Sequence, residues 1–140
     1  MGFGLPAAMG AKVVLPDRQV VAVLGDGGFQ MTMQELGTMM QNRIGVKVLV
    51  LNNSYLGMVR QWQQLFWDKR YSFTELENPD FTMIAAAYGI PSHKVSDPSE
   101  LRTALENMHR AEGSYLLEVT IMPEHNVFPM VPAGASLSGI

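Results

Sequence analysis

Two short polar segments carry the residues best suited to chemistry: Gly25-Asp26-Gly27-Gly28 and Asn52-Asn53. Asp26 offers a carboxylate and Asn53 an amide oxygen, while Gly27 and Gly28 offer backbone N–H groups that a ligand can approach with no Cβ in the way. A hard divalent cation takes such oxygens, and Mg²⁺ commonly uses only one or two protein carboxylates, completing its octahedron with phosphate oxygens and water. One Asp with one Asn therefore points to a metal ion bridging a diphosphate. The spacing is specific: 25 residues, Gly28 through Asn52, separate Gly27 from Asn53. Without further context Asp26 reads more often as a turn or cap residue; Asn52 and Asn53 could each be a left-handed turn residue, Asn52 the better candidate for the turn and Asn53 for the ligand.

These segments need elements that bring them together. Gly4 to Leu15 reads as a small-residue helix with Pro6 in its first turn, ended by Pro16. Gln19 to Leu24 is an apolar, β-branched run of the kind expected for a strand buried on both faces. From Thr32 the period becomes helical through Met33, Leu36, Met39 and Met40, with Thr32 and Glu35 in a capping-box pattern. Gly45 ends that helix, and Val46 to Leu51 is a second buried-type strand. A helix is expected over Gly57 to about Phe66, a loop over Asp68 to Asn78, and a helix opened by Pro79-Asp80 and closed by Gly89. Lys94 to Ser96 is a candidate short strand, Pro98 to Arg110 a capped helix, and Tyr115 to Ile121 a last strand; the tail from Pro123 to Ile140 is rich in Pro and Gly.

Strands alternating with helices imply right-handed crossovers and the expected fold class, a three-layer, doubly wound, mostly parallel α/β sheet with helices on both faces. Ligands in such sheets gather at the carboxyl ends of strands, where both polar segments fall. The N-termini of the Thr32 and Gly57 helices would face the same anion.

Composition sets the outer limits. The 140 residues, 47% of them hydrophobic, suffice for one domain with its own core, read as residues 1–140. There is no cysteine, hence no disulfide scaffold or thiolate metal site. A net charge of −3 without a basic cluster argues against a nucleic-acid partner, and no apolar run approaches the roughly 20 residues of a membrane span. Met1-Gly-Phe-Gly-Leu-Pro has no basic or long apolar leader character, so a cytoplasmic location is expected. Both ends are expected to be cuts in a longer chain.

Gly-Asp-Gly followed at this distance by Asn-Asn, after two buried strands, is the thiamine-diphosphate motif. With Gly2-Phe-Gly-Leu-Pro-Ala-Ala-Met-Gly-Ala before it, Phe29-Gln-Met-Thr32 within it, and Gly57-Met-Val-Arg-Gln-Trp-Gln63 after it, the chain closely resembles the carboxyl-terminal domain of acetolactate synthase catalytic subunits. Arg70-Tyr-Ser72, Asn78-Pro-Asp-Phe81 and the tail Val127 to Gly134 extend the resemblance over nearly the whole chain.

The resemblance implies Mg²⁺ held by Asp26, Asn53 and the main-chain carbonyl of Tyr55. It implies diphosphate contacts around Gly25, Gly27, Gly28, Leu56 and Gly57, Met1 supporting a bent cofactor, Met58 beside its pyrimidine, and Trp62 with Met58 lining the substrate channel. Many members carry Ser or Ala at the Gly27 and Gly28 positions, so here those contacts are expected from the main chain alone. The implied reaction decarboxylates pyruvate and joins the remaining two-carbon unit to a second 2-oxo acid, in branched-chain amino acid biosynthesis. The glutamate that activates the pyrimidine lies, in that family, in the amino-terminal domain of the partner subunit, so no catalytic residue is assigned here and the domain alone is expected to be inactive. The remaining domains of the subunit, a homodimer or tetramer, a regulatory small subunit and FAD belong to the family as a whole.

Other readings stand beside these. Met58 and Trp62, at i and i+4, are by default a core stripe; Arg60 suits either a substrate carboxylate or an exposed or interface position. His93, His109 and His125 share no ligand spacing. Pyruvate oxidase and glyoxylate carboligase types share the motif, although Gln61-Trp62-Gln63 and Pro129-Met-Val-Pro132 favour acetolactate synthase. A dinucleotide-binding module, imitated by Gly2-Phe-Gly4 and Asp26, would leave Gly28 and Asn52-Asn53 without a role.

Overall fold

In a computed structural model, residues 1–131, Gly134 and Ser136 are described. Pro132, Ala133, Ala135 and residues 137–140, which include part of the predicted tail motif, lie outside them.

Four strands, β1 (Val20–Gly25), β2 (Val46–Asn52), β3 (Ser92–Val95) and β4 (Tyr115–Thr120), form one sheet in the order β1-β2-β4-β3. Every pairing is parallel, so the sheet class read from the sequence holds. The helices are α1 (Gly4–Val14), α2 (Asp26–Gln30), α3 (Glu35–Asn42), α4 (Gly57–Phe66), α5 (Phe81–Ala87) and α6 (Leu101–Arg110), the last preceded by a 3₁₀ turn over Pro98–Glu100.

Moving from β1 to β2 and on to β3 advances across the sheet, and the helices on those connections, α2, α3 and α5, bury Phe29, Leu36, Met39, Phe81 and Ala85 on one face with α1. Returning from β3 to β4 reverses direction, and α6 accordingly packs Ala104 and Met108 on the opposite face against Leu117 and Val119. The central strand β2 shows why Val46, Val48 and Val50 are all β-branched: they alternate onto the first face and are fully buried there.

Three local expectations change. Strand β1 is not buried on both faces: it is an edge strand, and Val21 and Val23 are exposed because no helix of the described residues lies over them. The Gly25 to Gly28 segment is not a plain loop, since Asp26 opens the short helix α2. The Thr32 capping box does not form. Helix α3 begins at Glu35 after Gln34, and the Thr32 hydroxyl donates instead to the Gly2 carbonyl at 3.1 Å. That bond competes successfully because Gly2, at φ +78°, turns the first residues back over Met31 and Thr32.

A candidate cofactor pocket at the carboxyl ends of β1 and β2

Strand register sets the site. Gly25 pairs with Leu51, so the residues that follow, Asp26 and Asn52-Asn53, emerge side by side. Around them lies a pocket of about 220 Å³ lined by Met1, Gly25, Asp26, Gly27, Gly28, Tyr55, Leu56, Gly57, Met58 and Val59. The predicted cofactor residues are thus gathered from three separate stretches of chain, with Asn53 immediately behind the lining.

Asp26 is 1% exposed, yet no ion pair joins it to a cation among the described residues. Its Oδ2 accepts a hydrogen bond from Asn78 Nδ2 at 2.7 Å. A carboxylate withdrawn from water without a counter-charge is costly, so this donor set fits a bound cation. Among the described residues no three His, Cys, Asp or Glu side chains converge as a metal cluster. The arrangement suits Mg²⁺ rather than a metal held by many side chains.

Asn53 folds into an Asx turn in which Oδ1 accepts from the Tyr55 N–H at 3.0 Å, leaving a second lone pair on that oxygen. The chain then pairs antiparallel with Glu75, using the Ser54 carbonyl and the Leu56 N–H rather than the Tyr55 carbonyl. The left-handed residue of this turn is Ser54, at φ 58°, not Asn52 or Asn53. Asn52 ends β2 as a buried side chain whose Oδ1 accepts from the Ser54 N–H.

Two helix starts border the pocket. Helix α4 has no side-chain cap, so the N–H groups of its first turn are unclaimed by protein side chains. The second helix start is that of α2 at Asp26 and not, as expected, that of the Thr32 helix. Close approach marks two glycines: a Cβ on Gly57 would stand 3.1 Å from Asn53 Nδ2, and one on Gly27 2.7 Å from Leu56 Cδ2, so each would displace a neighbouring side chain. Gly28 has open space beside it.

Trp62 does not line the pocket. It lies one turn beyond Met58 on α4, is 41% exposed and tilts against Phe66 at 5.0 Å. Its neighbours explain that exposure. Gln61 is buried and grips the tail through both Val127 main-chain groups, accepting from N–H at 2.8 Å and donating to the carbonyl at 2.9 Å. Gln63 does the same to Ser72 at 2.9 and 3.1 Å. Arg60 is not solvent-exposed, its side chain being 11% accessible. Its guanidinium sits between the rings of Tyr55 and Tyr71 and donates to the Pro123 carbonyl at 3.0 Å. Sequence reasoning missed Asn78, Gln30 and Glu118, whose place at the site depends on long-range contacts that no local signal reports.

A parallel α/β sheet with a cation-suited carboxylate and paired helix starts at its carboxyl edge defines a diphosphate-binding class. Residues 1–119 match the family described as thiamine pyrophosphate enzyme, C-terminal TPP binding domain, and the chain belongs to that family. It is 50% identical over 139 residues to the acetolactate synthase isozyme 2 large subunit of Escherichia coli (strain K12), covering 99% of this chain and 25% of that protein. It is likewise 50% identical over 137 residues to the mitochondrial acetolactate synthase catalytic subunit of Aspergillus candidus, covering 98% and 20%. Among solved structures it resembles the Rhodococcus jostii RHA1 thiamine diphosphate-dependent 4-hydroxybenzoylformate decarboxylase, with a TM-score of 0.80 and 31% identity over 87% of this chain and 23% of that one. The chain therefore spans a fifth to a quarter of the length of these relatives.

Proposed function

We propose that this chain is the thiamine diphosphate- and Mg²⁺-binding part of an acetolactate synthase catalytic subunit, acting on pyruvate and a second 2-oxo acid. The observation that carries the metal half of this reading is the buried Asp26 carboxylate, paired with no cation among the described residues and set beside two helix starts. Asp26, Asn53 Oδ1 and the Tyr55 carbonyl would hold the ion. Gly25, Gly27, Gly28, Leu56 and Gly57 would receive the diphosphate through the main chain, where helix-end N–H groups favour negative charge. Met1 and Met58, both on the pocket wall, would support the rest of the cofactor and exclude water from it.

When bound, thiamine diphosphate supplies an electron sink for cleavage of a bond next to a carbonyl. The chain's own contribution is positioning. Trp62, one turn beyond Met58 on α4, would meet substrate rather than cofactor. No acidic residue of the chain is assigned the activating role at the pyrimidine, which belongs to another domain in this reading. FAD, a homodimer or tetramer, a regulatory small subunit and a cytoplasmic location belong to the same reading. No helix of the described residues is long and apolar enough to cross a membrane.

Calorimetric titration with thiamine diphosphate, with and without Mg²⁺, tests the site. Saturable binding that requires Mg²⁺ and is lost in Asp26→Ala is expected. Binding indifferent to Mg²⁺, or unchanged in Asp26→Ala, would overturn the assignment.

A further inference from the structure

The buried polar groups behind the pocket form one continuous chain. Asn78, from the loop between α4 and α5, inserts its amide between two acceptors: Nδ2 donates to Asp26 Oδ2 at 2.7 Å and to Asn52 Oδ1 at 2.9 Å. Gln30, at the end of α2, donates from Nε2 to Asn78 Oδ1 at 2.6 Å. Asn52 Nδ2 donates in turn to Glu118 Oε1 at 2.7 Å, and Lys94 Nζ stands 2.9 Å from that same oxygen. The chain runs from β3 through β4 and β2 to the first residue of α2, crossing the sheet beneath the pocket.

Its chemistry dictates its geometry. Asn78 presents two donors to two acceptors and one acceptor to a donor, so a reversed amide would lose all three bonds. Asn52 is held in the same way, by Asn78 and the Ser54 N–H at its oxygen and by Glu118 at its nitrogen. Glu118 is 1% exposed and its Oε1 pairs with Lys94 Nζ at 2.9 Å. Asn78 and Asn52 therefore each have one amide orientation, and the chain ends at Asp26. A carboxylate turns readily about its terminal torsion unless a partner fixes one oxygen. Asn78 is that partner.

We propose that Asn78 is a positioning residue for the divalent-cation site. It sets the rotation at which Asp26 meets Mg²⁺, and it is itself set by Gln30 and by the Asn52, Glu118 and Lys94 chain anchored across the sheet. The inference rests on the reading of Asp26 as a Mg²⁺ ligand. Partners that orient a metal ligand typically change metal affinity by about 10–100-fold when removed. A purely structural Asn78, fastening its loop to the sheet, would change stability and leave the Mg²⁺ requirement alone.

The test is a Mg²⁺ titration of thiamine diphosphate binding, read by calorimetry on the full-chain protein, with thermal melts of the cofactor-free variants alongside. Asn78→Ala should raise the half-saturating Mg²⁺ about 10–100-fold, with cofactor affinity returning to the wild-type value at saturating Mg²⁺. Gln30→Ala should move the requirement in the same direction by less. If Asp26→Ala loses the Mg²⁺ response while Asn78→Ala keeps the wild-type requirement, the positioning role is overturned and the cation reading stands. If Asp26→Ala keeps the response, the cation reading itself falls. Should Asn78→Ala fail to fold, Gln30→Ala carries the test, because it leaves both donor bonds of Asn78 available; an unchanged requirement there overturns the proposal.

Discussion

Asp26 and the two glycines after it divide the work of the pocket unequally. A Cβ on Gly27 would meet Leu56 Cδ2 at 2.7 Å and Leu76 Cδ1 at 3.1 Å, whereas Gly28 faces open space. The family variation expected at both positions is therefore not sterically equivalent in this chain. Gly27→Ala is expected to push Leu56 outward and weaken thiamine diphosphate binding, since Leu56 also lines the pocket. Gly28→Ser is expected to keep the melting temperature close to wild type and to hold or tighten cofactor binding through an added hydroxyl. Paired calorimetric titrations and melts of the two variants decide this, and equal effects would show that the glycines are interchangeable. The identities of these residues were legible in the sequence, but their unequal surroundings were not, because Leu56 and Leu76 reach Gly27 only through the folded loop.

Individual elements were legible wherever one rule dominated. Asp80 before Phe81 is the clearest: its carboxylate accepts from the N–H groups of Thr82 and Met83 and from the Thr82 hydroxyl, capping α5 as predicted. Those hydrogen bonds, the Thr82 hydroxyl foremost, hold its carboxyl below the usual value. A depressed carboxylate pKa contributes stability that is present above the unfolded pKa and lost as pH falls through the folded one. Urea denaturation should accordingly show wild type more stable than Asp80→Ala at neutral pH, with the difference narrowing below about pH 4. A difference that stayed constant into strong acid would mean that the cap does not act through its charge. Thr32 obeyed the same capping grammar on paper and failed it in the fold, since its hydroxyl found the Gly2 carbonyl first. Helix α4 shows a third case. Its stripe of Met58 and Trp62 looks like core by periodicity, yet the buried residue is Gln61, because the tail and the Ser72 loop take their hydrogen bonds from the two glutamines and leave Trp62 between them.

At the scale of the molecule, the sheet is covered fully on one face and only in part on the other. Val21 and Val23 on β1, together with Met58, Val59, Trp62 and Phe66 on α4, leave apolar surface in solvent, and surface of this kind marks places where other protein packs. The pocket opens beside that α4 surface rather than inside the core. In the proposed reading this chain, which spans a fifth to a quarter of its relatives' length, would form the cofactor floor, and the reaction would need walls from elsewhere. The 140 residues alone are expected to bind thiamine diphosphate with Mg²⁺ but to give no acetolactate from pyruvate above a protein-free control. Turnover by the purified chain would show that the activating group lies within it after all.

What the sequence determined by itself was the set of periodicities and the motif: β-branched apolar strands, helices between them, and Gly-Asp-Gly at a fixed distance from Asn-Asn. These are local properties, carried by side-chain volume, backbone freedom and spacing, and they sufficed for the parallel sheet and for the position of the pocket at its carboxyl edge. What only the tertiary structure decided was which polar groups meet behind that pocket. Asn78 reaches Asp26 across 52 positions and Glu118 reaches Asn52 across 66, and each bond exists because the β1-β2-β4-β3 order brings those strand ends and the α5 approach to one place. Hydrogen bonds are directional and short, so their partners are fixed by the packed geometry rather than by any pattern along the chain.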